Sequence, residues 1–204
     1  MPIEVSSIYD PLYNEVTWVH AKWQVYRDLF GKDEKTVDLL NRSAGAFFGV
    51  CQEVLLHDVM LGICRLLDPE ETGRNENLTL ERLVNSVSPN AFGTLRSELD
   101  DVLKIAMDSA AFARAHRNRK LAHNDLKTIR EIHAEPLPGV SRAAVEKTLE
   151  AIRDVMNKVS VHFLETTVLY QDFIFDPGDA QSLIRCLENA EVYRQEKNRR
   201  AMLP

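Results

Sequence analysis

The sequence predicts an all-α protein folded as a helical bundle. Apolar residues recur at alternating steps of three and four along most of the chain, and no segment shows the apolar–polar alternation of a strand. Glycine and proline are scarce, with 8 of each in 204 residues, and they cluster between the periodic stretches. That scarcity argues against a many-turned β-sandwich, a collagenous chain or a disordered linker protein. The length fits one all-α domain over 1–204, with a core at about 36–172, an N-terminal helix at 11–30 and a C-terminal helix at 179–200.

The first helix is expected from Pro11 to Phe30, where Val16, Val19, Trp23, Tyr26 and Phe30 form one stripe that Gly31 ends. A longer helix is expected from Thr36 to Leu67, with a bend near Asn41 and Ser43. Its stretch GAFFGVCQEVLLHDVMLGICRLL is apolar on nearly every side and reads as a central, buried helix. Pro69 and the polar run EETGRNEN break it. A short helix follows from Thr79 to Ser86, bounded by Ser88-Pro89. Another begins near Thr94 and places Leu95, Leu99, Val102, Ala106 and Ala110 on its inner face. Leu126 to Val140, with two prolines and Gly139, reads as a connection. Ser141 then caps a helix expected to reach about Gln171. Asp176-Pro177-Gly178 turns the chain, and Asp179 caps a last helix ending in EKNRR.

Charge and cysteine content narrow the function. With 25 Lys+Arg against 31 Asp+Glu, the formal charge is −6, which tells against a broad, nonspecific grip on nucleic acid. No run approaches the ~18 apolar residues of a membrane span, and the N-terminus lacks a secretory pattern, so a cytoplasmic protein is expected. Cys51, Cys64 and Cys186 form no C-x-x-C pair. They read as reduced thiols, the first two as small core residues, and a zinc site on them is not expected.

One segment departs from the acidic average. Arg114, His116, Arg117, Arg119 and Lys120 crowd into the nine positions before His123, followed by Asn124 and Asp125. Arginine holds phosphate oxygens with two parallel hydrogen bonds, and histidine titrates near neutrality. Together they suit metal-free RNA cleavage: a base removes the 2′-hydroxyl proton, the oxygen attacks the adjacent phosphorus, and cations stabilise the developing charge. On an ideal helix Arg117 and His123 lie about 9 Å apart in rise and roughly 120° apart in direction. One straight helix therefore does not aim both at one phosphate; a helix end between them, or a second protomer, would. The competing structural reading is a basic, solvated last helical turn that interacts with the helix dipole.

RNRKLAHND resembles the signature of the HEPN superfamily (higher eukaryotes and prokaryotes nucleotide-binding), an Arg followed after four to six residues by a His. With VDLLNRSAGAFF, HDVMLGICRLLDP, ENLTLERLV and PLPGVSRAAVEKTLEAI in order around it, the chain resembles the AbiU-type HEPN family of abortive infection and phage resistance, from about Thr36 to Tyr170. The resemblance implies a HEPN-type four-to-five-helix bundle with additional short and terminal helices. It also implies a homodimer whose Arg and His residues share one cleft, an RNA substrate, and no metal or other cofactor. Arg117 would stabilise the phosphate, His123 would be the general acid or base, and Asn118 would position the motif. Asp125 and His116 are secondary candidates; Arg114, Arg119 and Lys120 are candidate RNA contacts. An antitoxin or nucleotidyltransferase partner belongs to the same context. Asp125 stands where some toxin relatives carry the tyrosine that such a transferase modifies, so this chain departs from that pattern.

Other readings are weaker. A noncatalytic HEPN module binding RNA, nucleotide or protein is the main alternative. His57-Asp58 with His20 nominally suggests an HD-type phosphohydrolase, although Asp58 and Arg65 read better as structural charges. A di-metal bundle fails because Glu53 and His57 are four apart, not three, and have no second copy. Trp18, Trp23, Phe47 and Phe48 read as core. Arg194, Lys197, Arg199 and Arg200 read as a solvated helix end.

Overall fold

A computed structural model describes residues 1–121, 139–176 and 178–201. The chain is all-α apart from one small hairpin. Its elements are α1 (Ile3–Phe30), α2 (Glu34–Leu66), β1 (Glu71–Thr72), β2 (Asn75–Glu76), α3 (Leu80–Ser86), α4 (Gly93–Ser109), α5 (Ala111–His116), a π turn (Arg117–Leu121), α6 (Arg142–Leu164) and α7 (Ala180–Ala201). The antiparallel pair β1–β2 sets Glu71 opposite Glu76 and turns through Gly73 at φ 66°.

Helix α1 starts eight residues earlier than Pro11 and runs through that proline. Val5, Tyr9 and Leu12 continue the stripe of Val16, Val19 and Trp23 into the core, and their burial outweighs the loss of one backbone donor. Helix α2 follows the Asp33 cap, whose carboxylate accepts from the Thr36 N–H at 2.8 Å. It bends at Ala44, where φ −162° and ψ 64° leave the helical region. Capping side chains set other starts as the sequence indicates: Thr79 for α3, Ser141 for α6 and Asp179 for α7, whose Oδ1 accepts from the Ser182 N–H at 2.7 Å. Helix α6 ends at Leu164, short of the expected Gln171, because Glu165 turns left-handed at φ 52°. Asn157 then holds the departing chain, donating to the Val168 carbonyl and accepting from its N–H at 3.1 and 2.9 Å.

The main core joins α1, the C-terminal half of α2, α3, α4, α5 and α6 around Leu12, Ile63, Leu83, Leu99, Ile152 and Met156. A second cluster joins the first part of α2 to α7 through Leu39, Leu40, Phe48 and Ile184. The middle of α2 corrects the expectation of a wholly buried helix. Phe47, Val50 and Val54 are 63%, 61% and 58% exposed, and burial is continuous only towards the helix end, where Val59, Met60, Ile63 and Cys64 are buried. Only Trp23 and Phe48 of the four expected core aromatics are buried, whereas Trp18 is exposed like Phe47. Cys64 is buried as expected, but Cys51 is half-buried. Among the described residues α2 is the one helix long and apolar enough to cross a membrane, and a third of its most apolar window is buried inside the protein.

Close packing of α1 on α2 depends on Gly62, where an added Cβ would lie 2.6 Å from Val19 Cγ2. Valine is stiff at χ1 and cannot yield cheaply. Gly62→Ala is expected to lower the melting temperature, since overpacking at about 1–3 kcal/mol exceeds the helix-propensity gain. Gly49→Ala, with nothing within 4 Å, is expected to stabilise by up to about 1 kcal/mol, and parallel thermal melts check the pair.

His20 lies buried on α1 and makes a 2.9 Å hydrogen bond to the Val16 carbonyl through Nδ1. Burial pushes its pKa from 6.5 down to about 4. The unfolded chain therefore takes this proton first as the pH falls, so its contribution is intact above pH 6.5 and is lost progressively between 6.5 and about 4. That loss is on the order of 3 kcal/mol. Denaturant titrations should show a slope above pH 4.5 that His20→Leu removes.

Candidate functional site: an arginine cluster at the end of α2

Helix α4 does not run straight into the basic segment. Ser109 Oγ donates to the Ala106 carbonyl at 2.8 Å, Ala110 leaves regular helix geometry, and α5 begins at Ala111. Arg114, one turn into α5, reaches back so that its Nη2 donates to the Met107 carbonyl. It thus satisfies one of the carbonyls that the end of α4 leaves without a partner. Buried Phe112 and Ala113 dock α5 on the core, and both α5 and the π turn pack on α2.

Arg117 opens the π turn. Its Nη1 lies 2.5 Å from Asp68 Oδ1, and its Nε donates to Asn118 Oδ1 at 3.1 Å. The Arg117 and Asp68 side chains keep 26% and 28% of their surface exposed, so solvent reaches the ion pair. Asp68 follows α2 directly, in a connection that side chains clamp. Arg82 donates to the Asn77 and Glu70 carbonyls at 2.8 and 2.7 Å, and Asn77 Nδ2 donates to the Pro69 carbonyl at 2.9 Å. The Glu70 N–H donates to Glu81 Oε2 at 2.8 Å. On its other side Asp68 lines an open cleft of about 510 Å³ with Glu15, Arg65, Leu66, Asn77 and Leu78.

Charge gathers around buried Cys64. Burial pushes its thiol up to about 11; Arg117, Arg114 and Arg65 pull it down, and Asp68 raises it. Three guanidiniums against one carboxylate make this a cationic place in an acidic chain. Cys64 should resist alkylation at pH 8 while exposed Cys186 reacts, and unfolding should release it; timed labelling read by mass spectrometry checks this.

The structure brings Arg114, Arg117 and Asn118 to this end of α2. His116 and Arg119 are half-buried in the same segment, each with an interaction of its own. Lys120 lies in the π turn by its backbone. His123 and Asp125 lie outside the described residues, as does most of the connection expected from Leu126 to Val140. Asp68 was missed by sequence reasoning, although its pairing depends on a carboxylate placed directly after a buried helix. The 120° separation drawn for an ideal α-helix does not apply from Arg117 to Leu121, because a π turn bonds i to i+5 and is wider.

Asp58 pairs with Lys22 at 2.5 Å rather than with Arg65, and His20 is spent on the Val16 carbonyl, so the HD-type arrangement does not assemble. Among the described residues no three His, Cys, Asp or Glu side chains converge to hold a metal ion.

Fold and site together define an all-helical bundle that presents an arginine-bearing turn at the end of its central helix. The family model described as HEPN AbiU2 matches residues 3–182, and the chain belongs to that family of abortive-infection HEPN domains. Comparison with curated proteins and with solved structures returned no match.

Proposed function

We propose that this chain is a metal-independent RNA endonuclease acting as a toxin or phage-defence effector. The observation that carries this reading is Arg117, fixed 2.5 Å from Asp68 and left accessible beside Arg65 and Arg114. A guanidinium held in place before substrate arrives stabilises charge on a phosphorane without reorganising. His123 serves as general base or acid. It takes the 2′-hydroxyl proton as that oxygen attacks phosphorus, and the departing 5′-oxygen is reprotonated, leaving a cyclic phosphate. Asn118 holds Arg117 Nε, with Asp125 and His116 as secondary candidates and Arg119 and Lys120 on the RNA backbone. The active species is a homodimer with the two basic segments on one cleft, working in the cytoplasm under an antitoxin or similar partner.

A noncatalytic module binding RNA, a nucleotide or a protein partner is the second reading. It is favoured by the internal engagement of Arg114 with Met107 and of Arg117 with Asp68.

Purified protein should cleave single-stranded RNA in the presence of chelator, and Arg117→Ala and His123→Ala should each slow it by about a hundredfold or more. Salt-sensitive binding without cleavage would select the noncatalytic reading. A monomeric mass by light scattering at micromolar concentration would overturn the shared cleft.

A further inference from the structure

We propose that Asp68 is the positioning residue for Arg117, a role that rests on the RNA-cleaving reading of this site. The two residues are 49 apart in sequence and meet through one carboxylate oxygen and one guanidinium nitrogen. That end-on contact is not the pair of parallel bonds a carboxylate makes when it fills the guanidinium fork. It fixes the direction of the side chain while leaving a phosphate an edge of the group to take.

The mount of Asp68 supports a positioning role. Behind it lies buried Leu66, and Leu67 closes α2 with its N–H on the Ile63 and Cys64 carbonyls. Ahead of it, Arg82, Asn77 and Glu81 bind the Pro69–Asn77 stretch through the carbonyls of Pro69, Glu70 and Asn77 and the N–H of Glu70. The Asn77 N–H also donates to the Glu70 carbonyl at 2.8 Å. Five hydrogen bonds thus brace the segment carrying the carboxylate. Arg117 opens the π turn, and the neighbouring Asn118 Oδ1 accepts from its Nε at 3.1 Å. The braced carboxylate holds Nη1 while Asn118 holds Nε. Asp68 also lines the open cleft beside Arg65 and Asn77.

A carboxylate in this place has an opposite conceivable effect, because its charge opposes an incoming phosphate. The two effects separate in the variants. Asp68→Asn keeps an oxygen that accepts from Nη1 and removes the charge, while Asp68→Ala removes both.

Single-turnover RNA cleavage by the full chain, with chelator, tests this. Asp68→Ala is expected to slow cleavage at saturating RNA by about tenfold or more with little change in the half-saturating concentration, and Asp68→Asn to restore most of the rate. Faster cleavage in both variants overturns positioning in favour of charge opposition. Wild-type rates in Asp68→Ala beside an inactive Arg117→Ala also overturn it. If wild type and Arg117→Ala do not differ on RNA, the endonuclease reading has failed and Asp68 is judged separately. The Nη resonances of Arg117, identified by their loss in Arg117→Ala, then report on the Asp68 contact by their exchange with water. Slow exchange in wild type that becomes fast in Asp68→Ala, and stays slow in Asp68→Asn, upholds the proposal; unchanged exchange overturns it.

Discussion

The contact between Gly62 of α2 and Val19 of α1 is the constraint on which the rest of the structure depends. A missing Cβ lets two long helices approach closely, and the shared core of Leu12, Val16, Val59 and Ile63 forms along that approach. The same approach sets where α2 ends. Arg65 and Asp68 emerge at that end, and α5 and the π turn pack against it. The arginine cluster is therefore a consequence of helix packing in the core, not of a surface loop that settles independently.

Much of this was legible in the sequence for ordinary physical reasons. Periodic apolar residues locate helices because burial repeats with the helical turn, and Thr79, Ser141 and Asp179 locate starts because orphan N–H groups need an acceptor. The discrepancies have equally local causes. Pro11 looked like a boundary, but Val5 and Tyr9 carry the buried stripe past it. Leu164 ends α6 because a single residue, Glu165, turns left-handed, and nothing in the stretch LETTV announces that conformation. The middle of α2 has an apolar composition without the burial, since composition reports what a helix tolerates, and only tertiary packing decides which arc is covered.

The candidate site shows the same division. Arg117 and Asn118 could be singled out because neighbouring residues carry a recognisable pattern. Asp68 could not, because an ion pair spanning 49 positions leaves no local trace. Arg114 illustrates a subtler failure. Counting charges made it one more cation for RNA, whereas the broken end of α4 gives its guanidinium a carbonyl to satisfy. A cluster of basic residues is thus several different things at once: a helix-end partner in Arg114, a directed group in Arg117, and a cleft wall in Arg65.

This division changes what the net charge of −6 means for recognition. Averaged over the surface, that charge repels a polyanion, but salt screens the repulsion beyond about 8 Å. Closer in, the local arrangement decides. Around Cys64 three guanidiniums outnumber one carboxylate, and that carboxylate is bonded to one of the three. Arg114 and Arg117 are held there by a carbonyl and a carboxylate, whereas elsewhere exposed ion pairs such as Lys104–Asp108 and Arg142–Glu146 are closed on themselves. On the proposed reading, this local cluster at the end of the central helix, and not the net charge, sets where a phosphate binds.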